Sequence, residues 1–136
     1  MTRGKVIEFE GLDSSFKETN AKSLYNYLKD KGYKVNIVSF PRYDCDSSYF
    51  VKRLLSGEYG IQDKVNPQII NKMYALDRFD YIETFNVRDR IENGEWFIFD
   101  RYVGSSLLYQ SANINNIELR KQIQKEMYNF EYNILN

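Results

Sequence analysis

The stretch Lys5-Val6-Ile7-Glu8-Phe9-Glu10-Gly11-Leu12-Asp13-Ser14-Ser15-Phe16-Lys17-Glu18-Thr19 decides the fold. Its first five residues are a short β-rich run that ends at Glu10-Gly11, where glycine permits a sharp turn. From Lys17 the apolar positions Ala21, Leu24, Tyr25 and Leu28 recur at i, i+3, i+4 and i+7, and Gly32 follows as a helix-ending residue. The opening unit is strand, loop, helix. Lys34 to Phe40, with Val35, Ile37 and Val38, predicts a second strand stopped by Pro41. Together these make a βαβ unit with parallel strands and a right-handed crossover.

Further along, Ser47 or Ser48 is placed to cap a short helix containing Val51, Leu54 and Leu55 and closed by Gly57. Asn66-Pro67 opens a longer helix that carries Ile69, Ile70, Met73, Leu76 and Ile82 and runs, with a break, to about Ile91. Gly94 precedes Trp96-Phe97-Ile98-Phe99, a continuous apolar run of the kind a strand buried on both faces requires, with Asp100-Arg101-Tyr102 at its end. The tail from Ile117 sets Ile123, Met127, Phe130 and Ile134 on one helical face, expected to be buried against the sheet. Strands alternating with helices give an α/β fold, in which ligands bind outside the carboxyl ends of the strands. Those ends are Glu10-Gly11, Phe40-Pro41-Arg42 and Asp100-Arg101-Tyr102.

Composition narrows the chemistry. The 136 residues, 43% of them hydrophobic, suffice for one compact domain. Lys+Arg and Asp+Glu both total 19, so no global positive field gathers phosphate backbones, and a general nucleic-acid binder is disfavoured. One cysteine, Cys45, leaves no internal disulfide and no multi-thiolate zinc site, while the absence of histidine removes imidazole-based catalytic pairs. No apolar run approaches a membrane span, and the first residues lead directly into a strand rather than a signal-peptide core, which predicts a soluble, cytosolic protein.

Gly11 to Glu18 lies between a strand and a helix, where a phosphate-binding loop of pattern G-x-x-x-x-G-K-[ST] belongs. In such a loop backbone N–H groups wrap the phosphates and the lysine neutralises charge near the transferred phosphoryl. Gly11 and Lys17 fill their places, whereas Phe16 replaces the second glycine and Glu18 the magnesium-binding hydroxyl. A bulky residue in a glycine conformation costs on the order of 1 kcal/mol, and its ring would crowd the phosphates, so ATP affinity is the property at risk. Glu18 can coordinate Mg²⁺ itself, and Thr19 is one residue out of register. Taken alone, the loop reads equally as Asp13, Ser14 and Ser15 capping a helix beside a solvated Lys17.

The ordered series Phe9-Glu10-Gly11-Leu12-Asp13, Phe40-Pro41-Arg42, Tyr74-Ala75-Leu76-Asp77-Arg78 and Asp100-Arg101-Tyr102 through Ser105-Ser106 to Tyr109-Gln110 resembles the thymidylate kinase family over the whole chain. The resemblance implies a P-loop NTPase-like parallel sheet flanked by helices, with the N-terminal three of the family's five strands in a single, incomplete domain over residues 1–136. Family members continue into two more strands, an arginine-bearing lid and an adenine loop, and an incomplete sheet would leave one side of the central strand uncovered. The implied activity is transfer of the γ-phosphoryl of ATP, with Mg²⁺, to dTMP, giving dTDP for dTTP synthesis in the cytoplasm. A homodimer is implied as well, and neither nucleic acid nor membrane is a partner. A non-catalytic nucleotide-binding module, or a kinase for another nucleotide, is the competing expectation.

Residue roles follow from the same resemblance. Lys17, Asp100 and Arg101 form the catalytic set, and Gly11, Asp13, Ser14, Ser15, Phe16, Lys17, Glu18 and Thr19 line the donor phosphates. Glu18 and Asp100 are the candidate magnesium ligands. Arg42, Arg78 and Arg101 would hold the acceptor phosphate with guanidinium forks, unless each pairs with a local carboxylate such as Asp77 or Asp100. Asp13 would meet the acceptor sugar, Tyr74 would stack on thymine, and Pro41, Ser105, Ser106, Tyr109 and Gln110 complete the dTMP set. For Tyr74 and Tyr109, core packing is the alternative.

Overall fold

The computed structural model describes residues 2–11, 16–102 and 114–134. In chain order the elements are β1 (Val6–Phe9), α1 (Lys17–Asp30), β2 (Val35–Ser39), α2 (Tyr49–Leu55), α3 (Pro67–Thr84), α4 (Val87–Glu92), β3 (Trp96–Asp100) and α5 (Ile117–Asn129). A 3₁₀ turn (Asp46–Ser48) leads into α2, and π-helical turns (Phe130–Ile134) extend α5. Packing divides the chain into two units, residues 1–40 with 81–102, and residues 41–80 with 103–136.

In the first unit the strands are all parallel, in the order β1-β3-β2. The βαβ expectation holds for direction, but β3 lies between the two earlier strands and pairs with both. The central strand is therefore covered on each side; β1 and β2 are the sheet edges among the described residues. Period-two alternation explains why β3 reads as a continuous apolar run. Phe97 and Phe99 pack with Phe40, Tyr81 and Val87 on one face, and Ile98 packs with Ala21 and Leu28 on the other. Phe40 meets Phe99 edge-on with ring centroids 5.4 Å apart, so flat side chains fill this core as the composition suggests.

Polar bonds fix the start of β3. Glu95, almost fully buried, accepts hydrogen bonds from Arg90 Nη2 at 2.7 Å and from Asn36 Nδ2 at 3.1 Å, with Lys34 Nζ 3.1 Å from its other oxygen. The Arg90 bond dominates the opposing effect of burial and, with Asn36 and Lys34, lowers the Glu95 pKa to about 2. Gly4 passes so close to this point that a Cβ there would lie 1.8 Å from the Glu95 carbonyl oxygen.

The long helix breaks where Phe85-Asn86 intervenes between α3 and α4, with Asn86 at φ 49°. Its start is capped as the sequence indicates, the Asn66 side chain accepting from Gln68 N at 2.8 Å. In the second unit Val51, Leu54, Ile70, Ala75 and Met127 are buried alongside Asp77, Arg78 and Glu131. Neither Ser47 nor Ser48 caps α2 through its side chain: Ser47 is drawn instead into an ion-pair network with Asp77. Of the tail stripe, Met127 is buried and Ile123 and Phe130 are half-buried, while the Ile134 side chain lies outside the described residues. Its expected partner was the sheet; the described polar partners of this segment are on α3, where Gln68 bonds Glu126 and Arg78 bonds Glu131.

Candidate functional site

Parallel pairing brings the carboxyl ends of the three strands side by side, and register sets which residues meet there. Ser39 and Phe9 both pair with Asp100. Lys17, the first residue of α1, extends its ammonium to Asp100 Oδ1 at 2.6 Å, and Ser39 Oγ donates to Oδ2 at 2.9 Å. The Lys17 and Asp100 side chains are only 10% and 8% exposed, so Lys17 is not the solvated first-turn lysine of the alternative reading. Asp100 pairs with this lysine rather than with a neighbouring arginine.

The Asp-Arg-Tyr segment is tied to both flanking strand ends. Phe40 N donates to the Asp100 carbonyl at 3.0 Å, Arg101 N to the Phe9 carbonyl at 2.8 Å, and Tyr102 N to Glu10 Oε1 at 2.9 Å. Arg101 adopts φ 67°, a left-handed conformation that a non-glycine residue holds only where surrounding bonds impose it. Phe16, immediately before Lys17, is left-handed too, at φ 58° and ψ 19°, and no side chain caps the helix there. The sequence foresees a bulky residue in a glycine conformation, and the backbone has that conformation. The ring itself is 76% exposed.

Glu18 is exposed and pairs with Lys22 one turn on, at 2.9 Å. Among the described residues no three acidic or thiol groups cluster as a cation cage. A single buried carboxylate, Asp100, fits a magnesium ion that arrives on a triphosphate, since Mg²⁺ keeps several waters and uses one or two protein carboxylates. It does not fit a resident, fully protein-ligated ion. Asp13, Ser14 and Ser15 lie outside the described residues, as do Ser105, Ser106, Tyr109 and Gln110.

Arg101 belongs to the first unit, and Arg42 and Arg78 to the second. Arg42 follows Pro41 and folds onto α3: its Nε donates to Asp77 Oδ1 at 2.9 Å, its backbone N to Asp77 Oδ2 at 2.7 Å, and its Nη2 to Asp80 Oδ2 at 2.7 Å. Ser47 Oγ adds a 2.6 Å bond to Asp77, whose side chain is fully buried. Burial works against the Arg42 charge, yet the bonds to Asp80 and Asp77 hold its pKa above the ordinary guanidinium value. Arg78, 3% exposed, makes a fork to Glu131, Nε to Oε1 at 2.6 Å and Nη2 to Oε2 at 3.1 Å. Both arginines are thus paired with carboxylates, Arg42 with Asp77 and Asp80 and Arg78 with the distant Glu131 rather than with Asp77 or Asp100. Tyr74 stands one helical turn before Arg78 and is half-buried, and burial pushes its phenol above the usual pKa of 10. Ser39, Glu10 and Glu131 escape sequence reasoning because strand register and helix pairing decide their roles.

A model of the family described as thymidylate kinase matches residues 9–132. The chain belongs to the thymidylate kinase family. Thymidylate kinase of Plasmodium falciparum is 27% identical over 113 residues, 83% of this chain and 51% of that protein. Thymidylate kinase of Caldicellulosiruptor saccharolyticus is 32% identical over 108 residues, 79% of this chain and 50% of its own. The chain therefore spans about half the length of the curated relatives it matches. Among solved structures, thymidylate kinase from Candida albicans superposes with a TM-score of 0.70 at 21% identity, over 94% of this chain and 56% of that one. That likeness establishes the thymidylate kinase fold: a parallel three-stranded sheet flanked by helices.

Proposed function

We propose that this chain carries the phosphate-handling half of an enzyme that transfers the γ-phosphoryl of MgATP to dTMP, forming dTDP and ADP. One observation carries the reading: Lys17, at the front of α1, and Asp100, at the end of β3, meet at 2.6 Å where three parallel strands terminate. Phosphoryl transfer needs positioning and charge stabilisation rather than covalent chemistry. A phosphate oxygen of dTMP attacks the γ-phosphorus, and the bond to the β-bridging oxygen breaks. Lys17 would move from Asp100 to the donor phosphates and neutralise the charge developing there. Asp100, fixed by Ser39, would then face the magnesium ion of the donor or its waters. Magnesium, when bound, screens the phosphate charges.

Arg101 is assigned to the acceptor phosphate, with Arg42 and Arg78 as the family resemblance implies and Tyr74 against the base. The fork geometry that Arg78 gives to Glu131 is one a phosphate would also accept. No described helix is long and apolar enough to cross a membrane; a cytoplasmic location is what the family resemblance implies. Exposed Ile69, Leu76 and Phe79 on α3 are the apolar residues we would assign to the homodimer that the family resemblance implies.

Production of dTDP from dTMP and MgATP, followed by coupled ADP detection, tests the reading. Lys17→Met should abolish turnover, and Arg101→Ala should chiefly raise the KM for dTMP. A second reading, a pyrimidine-nucleotide-binding module without turnover, is favoured by Phe16 in the left-handed position. Calorimetry that finds dTMP binding without MgATP binding or dTDP production would select it.

A further inference from the structure

Arg42 faces two carboxylates that stand one helical turn apart on α3, and they hold it in different ways. Asp77, whose side chain is fully buried, accepts from Arg42 Nε at 2.9 Å, from the Arg42 backbone N at 2.7 Å and from Ser47 Oγ at 2.6 Å. Those bonds fix both the backbone and the guanidinium of the residue that follows Pro41. Asp80 meets another corner of the same guanidinium, Nη2, at 2.7 Å, and its side chain is 47% exposed. Nη2 carries two hydrogens, yet three acceptors lie within its reach: Asp80 Oδ2 at 2.7 Å, Ser47 Oγ at 3.0 Å and the Asp77 carbonyl at 3.1 Å. Withdrawal of Asp80 therefore leaves a partner for each hydrogen, while the released carboxylate, already half in solvent, is taken up by water.

The same contact marks the side of the guanidinium that an anion can reach. An anionic oxygen sits there at charge-assisted distance, carried by a side chain that is half in solvent. A phosphate oxygen offers Nη2 the same bond. The cluster sets two carboxylates against one guanidinium, so a phosphate dianion that approaches Arg42 is repelled by the exposed one. Asp80 and the phosphate compete for one place.

We propose, on the reading that Arg42 takes the acceptor phosphate, that Asp80 is an exchangeable counter-ion of Arg42: a built-in competitor that occupies the place of the acceptor phosphate and sets the affinity for it.

The test is calorimetric titration of the full chain with dTMP and with thymidine, which keeps the base and sugar but has no phosphate. Asp80→Asn should bind dTMP about three- to fivefold more tightly than wild type, the change expected when one exposed like charge is removed, and should bind thymidine as wild type does. Asp80→Ala should show the same gain, whereas Asp80→Glu, which keeps the charge, should not. Added salt should narrow the difference between Asp80→Asn and wild type, because it screens the repulsion. A purely structural Asp80 predicts the opposite sign, weaker dTMP binding with a lowered Tm. Equal or weaker binding of dTMP by Asp80→Asn, or an equal gain for thymidine, overturns the proposal. Arg42→Met combined with Asp77→Asn, which leaves no buried charge unpaired, tells that failure from failure of the underlying reading. If the double variant weakens dTMP binding while Asp80→Asn leaves it unchanged, Arg42 still meets the acceptor and only the role of Asp80 falls. If the double variant binds dTMP as wild type does, or no form binds it, the acceptor placement falls and the role of Asp80 with it.

Discussion

Phe16 holds a left-handed backbone that costs an L-residue about 1–2 kcal/mol relative to the right-handed one. Its ring gains little in return, being largely in solvent. Phe16→Gly should therefore raise unfolding stability by about 0.5–1 kcal/mol in urea titrations, the added chain entropy of glycine offsetting part of the relief. The same change should tighten MgATP binding severalfold by calorimetry. Unchanged affinity would place the limit at Glu18 or in parts of the donor site that residues 1–136 do not contain. Gly4 presents the opposite case, a glycine required by space rather than by dihedral angle. Its N–H donates to Ile91 O at 2.8 Å, and the missing Cβ is what lets the chain pass the Glu95 carbonyl. Gly4→Ala must displace backbone on one side, and we expect a loss of about 2 kcal/mol or more in chemical denaturation. A loss under half that would show that the N-terminal strand shifts freely.

Among the elements, β3 is held at its start by the Glu95 cluster and at its end by Asp100 and Arg101, with one aromatic face and one aliphatic face between. Because the Glu95 pKa is depressed in the folded state, the stability it contributes is complete above the ordinary value of 4.5 and is lost as pH falls through about 2. Acid titration of stability should show that loss in wild type and a smaller slope over the same window in Glu95→Gln. Identical slopes would mean that Glu95 does not govern the acid limb. The alternation in Trp96–Asp100 and the 3.6-residue periods of α1 and α3 are local patterns, which is why these elements are readable from the chain itself. Register is not local. Nothing in the order of residues says that Ser39 stands beside Asp100, or that Glu131, 53 positions away, reaches Arg78. The same limit applies to charged groups: the sequence marks Lys17, Arg42, Arg78 and Asp100 as chemically informative, but which of them are paired depends on tertiary neighbours.

For the molecule as a whole, the sheet order and the family match agree on a nucleotide-kinase fold, while the chain covers about half of its curated relatives. Ile69, Leu76 and Phe79 are 50%, 44% and 38% exposed and fall on neighbouring turns of α3. If this stripe is a self-contact, sedimentation equilibrium at tens of micromolar should show a dimer, and Leu76→Glu should shift it to monomer without changing the circular dichroism spectrum. A wild-type monomer throughout would remove the homodimer from the proposed function. The Lys17–Asp100 pair has a bearing on how such a protein would respond to its ionic surroundings. Its ammonium already has an anion, so an incoming triphosphate would trade places with a carboxylate instead of meeting a bare cation. Dissolved ions weaken the outgoing contact as well as the incoming one, and the dissociation constant for MgATP should rise only gently between low and physiological salt.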